Sequence, residues 1–140
     1  VSVDPPCVLV SLARNVTSFR AIAKLGYFGV SMVSRDQIDV VRRASAPGHP
    51  KYLDEESADR AVSDGGRGRH RNRPMPLSPM LTNAPFHFDC RVVHIHNSGD
   101  HGVIFAEVVK IRRGERDGPG TPLLYFDGRF HHLGAPLPAV

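Results

Sequence analysis

Cys7 to Leu12 is the stretch that most constrains this chain. It is apolar but for Ser11, and Pro5-Pro6 just before it lack backbone donors, so the chain enters extended and the run reads as a buried strand rather than a helix. A polar turn follows at once. Arg14, Asn15, Thr17 and Ser18 stand where the strand gives way to a helix, so free backbone N–H groups, two hydroxyls and a guanidinium can converge on one anion. Composition alone favours a plainer reading, an ordinary helix start with a capping hydroxyl.

The helix is predicted over Thr17 to Lys24, with Phe19, Ile22 and Ala23 at helical spacing, Thr17 or Ser18 as cap and Gly26 as stop. Tyr27 to Val33, rich in aromatic and β-branched residues, predicts a second strand. Ser34-Arg35-Asp36-Gln37 then caps a second helix running to about Arg43, with Ile38 and Val41 on one face. Strand, helix, strand, helix in so short a span leads us to expect both strands to exit on the same edge.

Residues 45–83 differ in kind. Pro47, Gly48, Pro50, the acidic Asp54-Glu55-Glu56, an arginine-rich run from Gly65 to Arg73 and prolines up to Pro79 leave neither a helical nor a strand period. The expectation is a long irregular loop, partly disordered, serving as a lid or an insertion. Its arginines have no interleaved aromatic for base stacking, so a solvated loop is favoured over a nucleic-acid site.

From Phe86 the pattern is regular again. Phe86, Phe88 and Cys90 alternate with His87, Asp89 and Arg91, and the phase changes at Val92-Val93, which marks a bulge. After the turn Asn97-Ser98-Gly99-Asp100, the stretch Val103 to Ile111 is apolar on both faces for much of its length. The two strands make a hairpin. A strand apolar on both faces needs two covers, and a barrel interior on one side with a twin subunit on the other supplies them. A strand at Leu123 to Phe126, the turn signal Asp127-Gly128 and a return over Arg129 to Leu133 complete the chain.

At 140 residues and 41% hydrophobic, the sequence supports one domain, residues 1–140, with a real core. The formal charge of +4 suits an anionic ligand such as a nucleotide but does not call for nucleic acid. Cys7 and Cys90 fall in apolar strand patterns, where free thiols act as small hydrophobes, so a reducing cytoplasm is the expected setting. No apolar run approaches the roughly 20 residues that span a bilayer, and no basic-then-apolar leader precedes the first strand, so no membrane is expected.

Five stretches, SVDPPCVLVSLARNVTSF, GYFGVSMVSRDQ, DCRVV, SGDHGVIFAEVV and PLLYFDGRFHHLG, in this order and spacing resemble the flavin reductase family. The resemblance implies a mainly β protein with short helices (α+β), an FMN-binding split β-barrel. It further implies NAD(P)H-dependent reduction of FMN or FAD, a homodimer, and service to a partner flavin-dependent monooxygenase. Family members carry further strands ahead of the SVDPP segment, one of them a Thr/Ser-rich flavin contact, so the resemblance also implies N-terminal truncation.

Carried over residue by residue, the resemblance places Ser11, Ala13, Arg14, Asn15, Thr17 and Ser18 at the flavin, with Ser34, Asp36 and Gln37 along its edge. A serine often stands in the family where Val16 is here, which leaves one phosphate contact to Thr17. His101, in the matching Gly99-Asp100-His101, takes the catalytic position beside the nicotinamide, with Tyr125, Arg129 and Phe130. Each assignment has a plainer counterpart: a helix cap for Asp36 and Gln37, a surface turn for His101, plain core for Tyr125 or Phe126. His94 and His96 share a strand face and, with His131 or His132, suggest a metal, but no carboxylate or thiolate stands at ligand spacing, so none is assigned. The alternatives to a reductase are a flavin-binding module of the same fold without turnover, or an inactive truncated product.

Overall fold

The computed structural model describes residues 2–46, 77–114 and 120–134, together with the backbone of three short strands between the first two segments. Its elements are β1 (Ser2–Val3), β2 (Pro6–Ala13), α1 (Thr17–Leu25), β3 (Tyr27–Ser31), a 3-10 turn (Arg35–Gln37) and α2 (Ile38–Ser45). The short strands β4 (Ala58–Asp59), β5 (Gly68–His70) and β6 (Arg73–Met75) follow. β7 (Met80–Leu81), β8 (Phe86–Ser98), β9 (His101–Arg113), β10 (Leu123–Phe126) and β11 (Arg129–His132) complete the order.

The main sheet runs β1-β2-β9-β8-β3, antiparallel throughout. The apolar run at Cys7 forms a strand, β2, paired along its length with β9, but not the buried strand expected of it: its residues are half-buried or exposed, because the described residues cover only one face of the sheet here. The phase change at the two valines is a bulge: Val92 pairs with Ala106 and His94 with Phe105, leaving Val93 extra and exposed. α1 ends where Gly26 turns left-handed at φ 76° and returns its N–H to Ile22 O at 2.8 Å. Asp127 and Gly128, both at positive φ, turn β10 into β11.

Three further expectations are corrected. β2 and β3 both pair antiparallel into the β8–β9 hairpin from opposite sides and run opposite to one another. Their exit turns therefore leave from opposite ends of the sheet, not from one edge. β3 ends at Ser31, because from Met32 the chain leaves the β8 ladder; Met32 N–H still reaches Phe86 O at 2.8 Å, but Ser34 bridges to Pro122 instead. The stretch 45–83 is not wholly irregular: β4 pairs with β7 and β5 with β6.

That stretch also supplies core. Met80 and Leu81, with Ala84, are buried against Val33 and Val40. The segment fills the space under α2 with irregular backbone, so its apolar residues follow neither the helical nor the strand period. The disorder expected of the remainder falls outside the described residues. Elsewhere the core is the inner sheet face, where Cys90, Ile104 and Ala106 are fully buried. The opposite face near Leu9, which is 44% exposed, has no cover from the described residues of the chain.

Candidate functional site

The chain gathers the candidate residues into two groups. The first forms where β2 ends beside the β8–β9 turn. Ala13 pairs with His101, and Ser11, exposed, pairs with Val103. Arg14 is fastened to the turn twice, its N–H donating to Asp100 O at 2.9 Å and its guanidinium to Gly99 O at 2.8 Å. One guanidinium bond leaves most of its five donors to solvent or ligand. Asp100 Oδ1 lies 2.7 Å from His101 Nδ1. That hydrogen bond, the imidazole's charge and, more weakly, Arg14 hold the exposed Asp100 carboxyl below its ordinary range.

α1 starts at this corner. Its N-cap is Val16, not Thr17 or Ser18, and no side chain caps it; its first turn holds no acidic residue. The reason is geometric: Val16 N–H turns back to Ala13 O at 3.2 Å and its own carbonyl accepts Arg20 N–H, which places Thr17 and Ser18 inside the helix. The first-turn N–H groups thus lack a capping side chain, and the hydroxyls of Thr17 and Ser18 are exposed beside them, as is Asn15. An anion of phosphate size fits this donor set.

The second group forms at the other end of the sheet. Ser34 and Gln37 make a capping box: Gln37 Oε1 accepts Ser34 N–H at 3.1 Å, and Gln37 Nε2 donates to Thr82 O at 2.8 Å. Both are buried, so Gln37 shapes the turn with its whole side chain, whereas Asp36 is exposed. Arg35 N–H donates to Thr121 O at 2.8 Å, which ties the β10–β11 hairpin to this turn. Tyr125 and Phe130 pack as tilted rings with centroids 5.1 Å apart and, with Gly128, face Val41, Arg42 and Ser45 across a groove of about 590 Å³. Neither Tyr125 nor Phe126 is core, at 68% and 73% exposed, because the two strands pair only with each other and, among the described residues, no second sheet packs on them. Arg129 is exposed next to them. His101 therefore stands with the Arg14 corner, apart from Tyr125, Arg129 and Phe130.

A buried polar network at the second group's end of the sheet was not foreseen. Ser78, His87 and Asp89 are buried, and Arg112 reaches Asp89 with Nε at 2.9 Å. Gly29 of β3 makes the room: a β-carbon there would stand 2.2 Å from Ser78 Oγ and 2.6 Å from the His87 ring. A glycine inside a strand pattern was the available signal of such a close approach. Burial pushes the Cys90 thiol, next to Asp89, up to about 11. Among the described residues no three His, Cys, Asp or Glu side chains gather as a metal site, and no helix is long and apolar enough to cross a membrane.

Comparison with known proteins decides the family. The profile of the flavin reductase like domain matches residues 1–134. The chain belongs to the flavin reductase family. It is 34% identical over 129 residues to the reductase component of 4-nitrophenol 4-monooxygenase/4-nitrocatechol 2-monooxygenase of Rhodococcus opacus, covering 92% of this chain and 60% of that protein. To the NADH:riboflavin 5'-phosphate oxidoreductase of Streptomyces pristinaespiralis it is 30% identical over 140 residues, covering 100% of this chain and 71% of that one. The crystal structure of nitrilotriacetate monooxygenase component B from Mycobacterium thermoresistibile superposes with a TM-score of 0.76 at 27% identity, over 100% of this chain and 71% of that one. This member of the family thus has the expected split-barrel, mainly β fold, and spans between 60% and 71% of the length of these proteins.

Proposed function

We propose that this flavin reductase carries out NAD(P)H-dependent reduction of FMN or FAD and supplies the reduced flavin as the reductase component of a two-component monooxygenase. The observation that carries it is the corner where Arg14 is pinned to the Gly99–Asp100 turn, beside His101 and the uncapped start of α1. The names of the Rhodococcus and Streptomyces relatives support the same chemistry.

Hydride transfer belongs to the nicotinamide and flavin rings when both are bound, so the chain's task is to place them and neutralise phosphate. Arg14, Thr17 and Ser18, with the first-turn N–H groups, hold the flavin phosphate, with Ser11, Ala13 and Asn15 bordering it. Ser34 and Asp36, at the other end of this chain's sheet on a turn whose shape Gln37 sets, meet the flavin's edge away from its phosphate. His101, held by Asp100, is the residue we assign next to the reacting rings, and Tyr125, Arg129 and Phe130 serve the nicotinamide dinucleotide. The open sheet face around Leu9 and Phe105 is covered by a second copy of the chain, making a homodimer. Two free thiols, Cys7 and Cys90, suit a reducing cytoplasm.

Mixing the purified protein with FMN and NADH and following nicotinamide absorbance tests the reading. Catalysed loss of NADH is the expected result. Retention of FMN without NADH oxidation would reduce the protein to a binding module, and neither binding nor turnover would overturn the assignment.

A further inference from the structure

Where β3, β8 and β9 meet the segment ahead of β7 lie three buried polar side chains that the proposed chemistry leaves unused, Ser78, His87 and Asp89, with the half-buried Arg112 bound to them. Their protons can be placed one by one. Burial pushes the Asp89 carboxyl up, but hydrogen bonds from the Ser78 hydroxyl and N–H, together with Arg112, outweigh it and hold the group below its ordinary range. Asp89 is therefore an acceptor only, and the Ser78 hydroxyl, 2.5 Å from Oδ1, must donate to it. The remaining contact of Ser78 Oγ is His87 Nε2 at 2.8 Å, which must then carry a hydrogen. Nδ1 is left as an acceptor, served by the Ser31 hydroxyl at 2.8 Å, and Ser31 Oγ in turn accepts Leu81 N–H at 3.0 Å. One protonation state, neutral His87 with its hydrogen on Nε2, satisfies every bond.

The chain of bonds continues out of the core. Asp89 fixes Ser78 through its N–H at 2.8 Å, and the Ser31–His87 pair fixes Leu81. Thr82, the next residue, takes the Gln37 amide that shapes the turn from Ser34 to Gln37. We propose that neutral His87 is a positioning residue for the flavin-side turn: through Ser31 and Ser78 it holds the segment from Ser78 to Thr82 on which Gln37 rests, and protonation at Nδ1 loosens that turn and weakens flavin binding. The inference rests on the reading that this turn meets flavin.

The surroundings of His87 set the sign. A hydrogen on Nδ1 would point at the Ser31 hydroxyl, which must then rotate and lose its acceptor. From β3 the ring faces Ser31 and Gly29, neither charged. From β9 it faces the cation Arg112, its register partner, with Lys110 two pairs further on beside Asp89. The carboxylate of Asp89 lies 3.5 Å from Nε2, but Arg112 and Ser78 already occupy it. Neither a new acceptor nor a free anion meets the added charge among the described residues.

The test measures FMN dissociation constants by quenching of flavin fluorescence on the full chain, from about pH 8 to about pH 5, with circular dichroism on the same samples. Wild type is expected to lose about tenfold in affinity over this range, the worth of one buried hydrogen bond, with its far-ultraviolet spectrum unchanged. His87→Gln offers an acceptor and a donor at every pH, so its affinity is expected to fall less than that of wild type, by only what the second protonation of the FMN phosphate at about pH 6 contributes. A pH-independent wild type, or a His87→Gln variant that keeps the wild-type pH dependence, overturns the proposal. Nitrogen NMR of labelled wild type needs no variant and no flavin: the hydrogen is expected on Nε2, and the Gln37 side-chain amide signals should move as His87 titrates. A hydrogen on Nδ1, or a Gln37 amide blind to that titration, also overturns it. Failure of wild type to bind FMN at any pH sinks the reductase reading itself, whereas binding untouched by His87 sinks only the positioning role.

Discussion

Gly102 of β9 lies against the ring of Phe19 of α1: a β-carbon at Gly102 would stand 2.2 Å from Phe19 Cε2 and 2.6 Å from Cζ. The helix that presents Thr17 and Ser18 is thus seated on a bare stretch of strand, one residue from His101. A missing side chain sets the distance between the anion corner and the sheet.

Gly102→Ala is expected to push Phe19 and α1 off the sheet, at a cost of about 1–3 kcal/mol, and to weaken FMN binding. Phe19→Leu in the same chain should recover part of both losses, since the two residues are in direct contact and their effects do not add. Urea denaturation and flavin titration of the single and double variants check it. Unchanged values for Gly102→Ala would mean that the helix position is not set here.

Arg112 grips Asp89 with two nitrogens, Nε at 2.9 Å and a terminal nitrogen at 3.2 Å, and also donates to the Ser78 carbonyl. Asp89 is fully buried. Arg112→Met would leave that carboxylate without its cation, and the expected loss is about 3–5 kcal/mol of unfolding free energy. Arg112→Lys should restore only part of it, because an ammonium cannot reproduce the fork. Equal stability of the two variants in denaturant melts would refute the forked role.

The parts of the fold that local chemistry specifies were legible in the sequence. The apolar run at Cys7, the glycine stop at Gly26, the Ser34–Gln37 cap, the long hairpin, the bulge at the valines and the Asp127-Gly128 turn all stand where the residues put them. Relations between distant segments were not. The direction of β3 relative to β2 depends on which strand each one joins, and both are satisfied by the same β8–β9 hairpin. His87 and Asp89 look like the wet side of an alternating strand. They are buried because a proline-rich segment without a period, carrying Ser78, lies over them. Val16, a poor cap by type, became the N-cap because the turn at Ala13 closes one residue early.

The uncovered sheet face predicts assembly. Leu9 pairs with Phe105, whose other neighbour His94 approaches it ring to ring at 6.4 Å, and Ser11 pairs with Val103. Sedimentation is expected to show a dimer, and Leu9→Glu, placing a charge in the centre of this face, should shift it to monomer while circular dichroism stays unchanged. A monomeric wild type, or a Leu9→Glu dimer of undiminished strength, would place the twin subunit elsewhere or remove it.

Acid is expected to weaken the fold in two stages. Burial, helped by Arg112 and opposed by Asp89, holds the His87 imidazole below its ordinary 6.5. The unfolded chain therefore takes up a proton near 6.5 that the folded chain refuses, so stability is full above that pH and declines as pH falls from 6.5 toward the folded value. The Asp89 carboxyl is also held below its ordinary 3.8, by the Ser78 and Arg112 bonds that outweigh its burial, so a second decline begins only when pH falls below 3.8. Urea midpoints taken along a pH series should resolve the stages. His87→Gln is expected to erase the first and leave the second, and Asp89→Asn to shrink the second to the part that Asp100 contributes, from a lower starting stability. A single decline confined to the carboxylate range would show that His87 is as easily protonated in the folded chain as in the unfolded one, against everything its burial between Ser31, Ser78 and Arg112 implies.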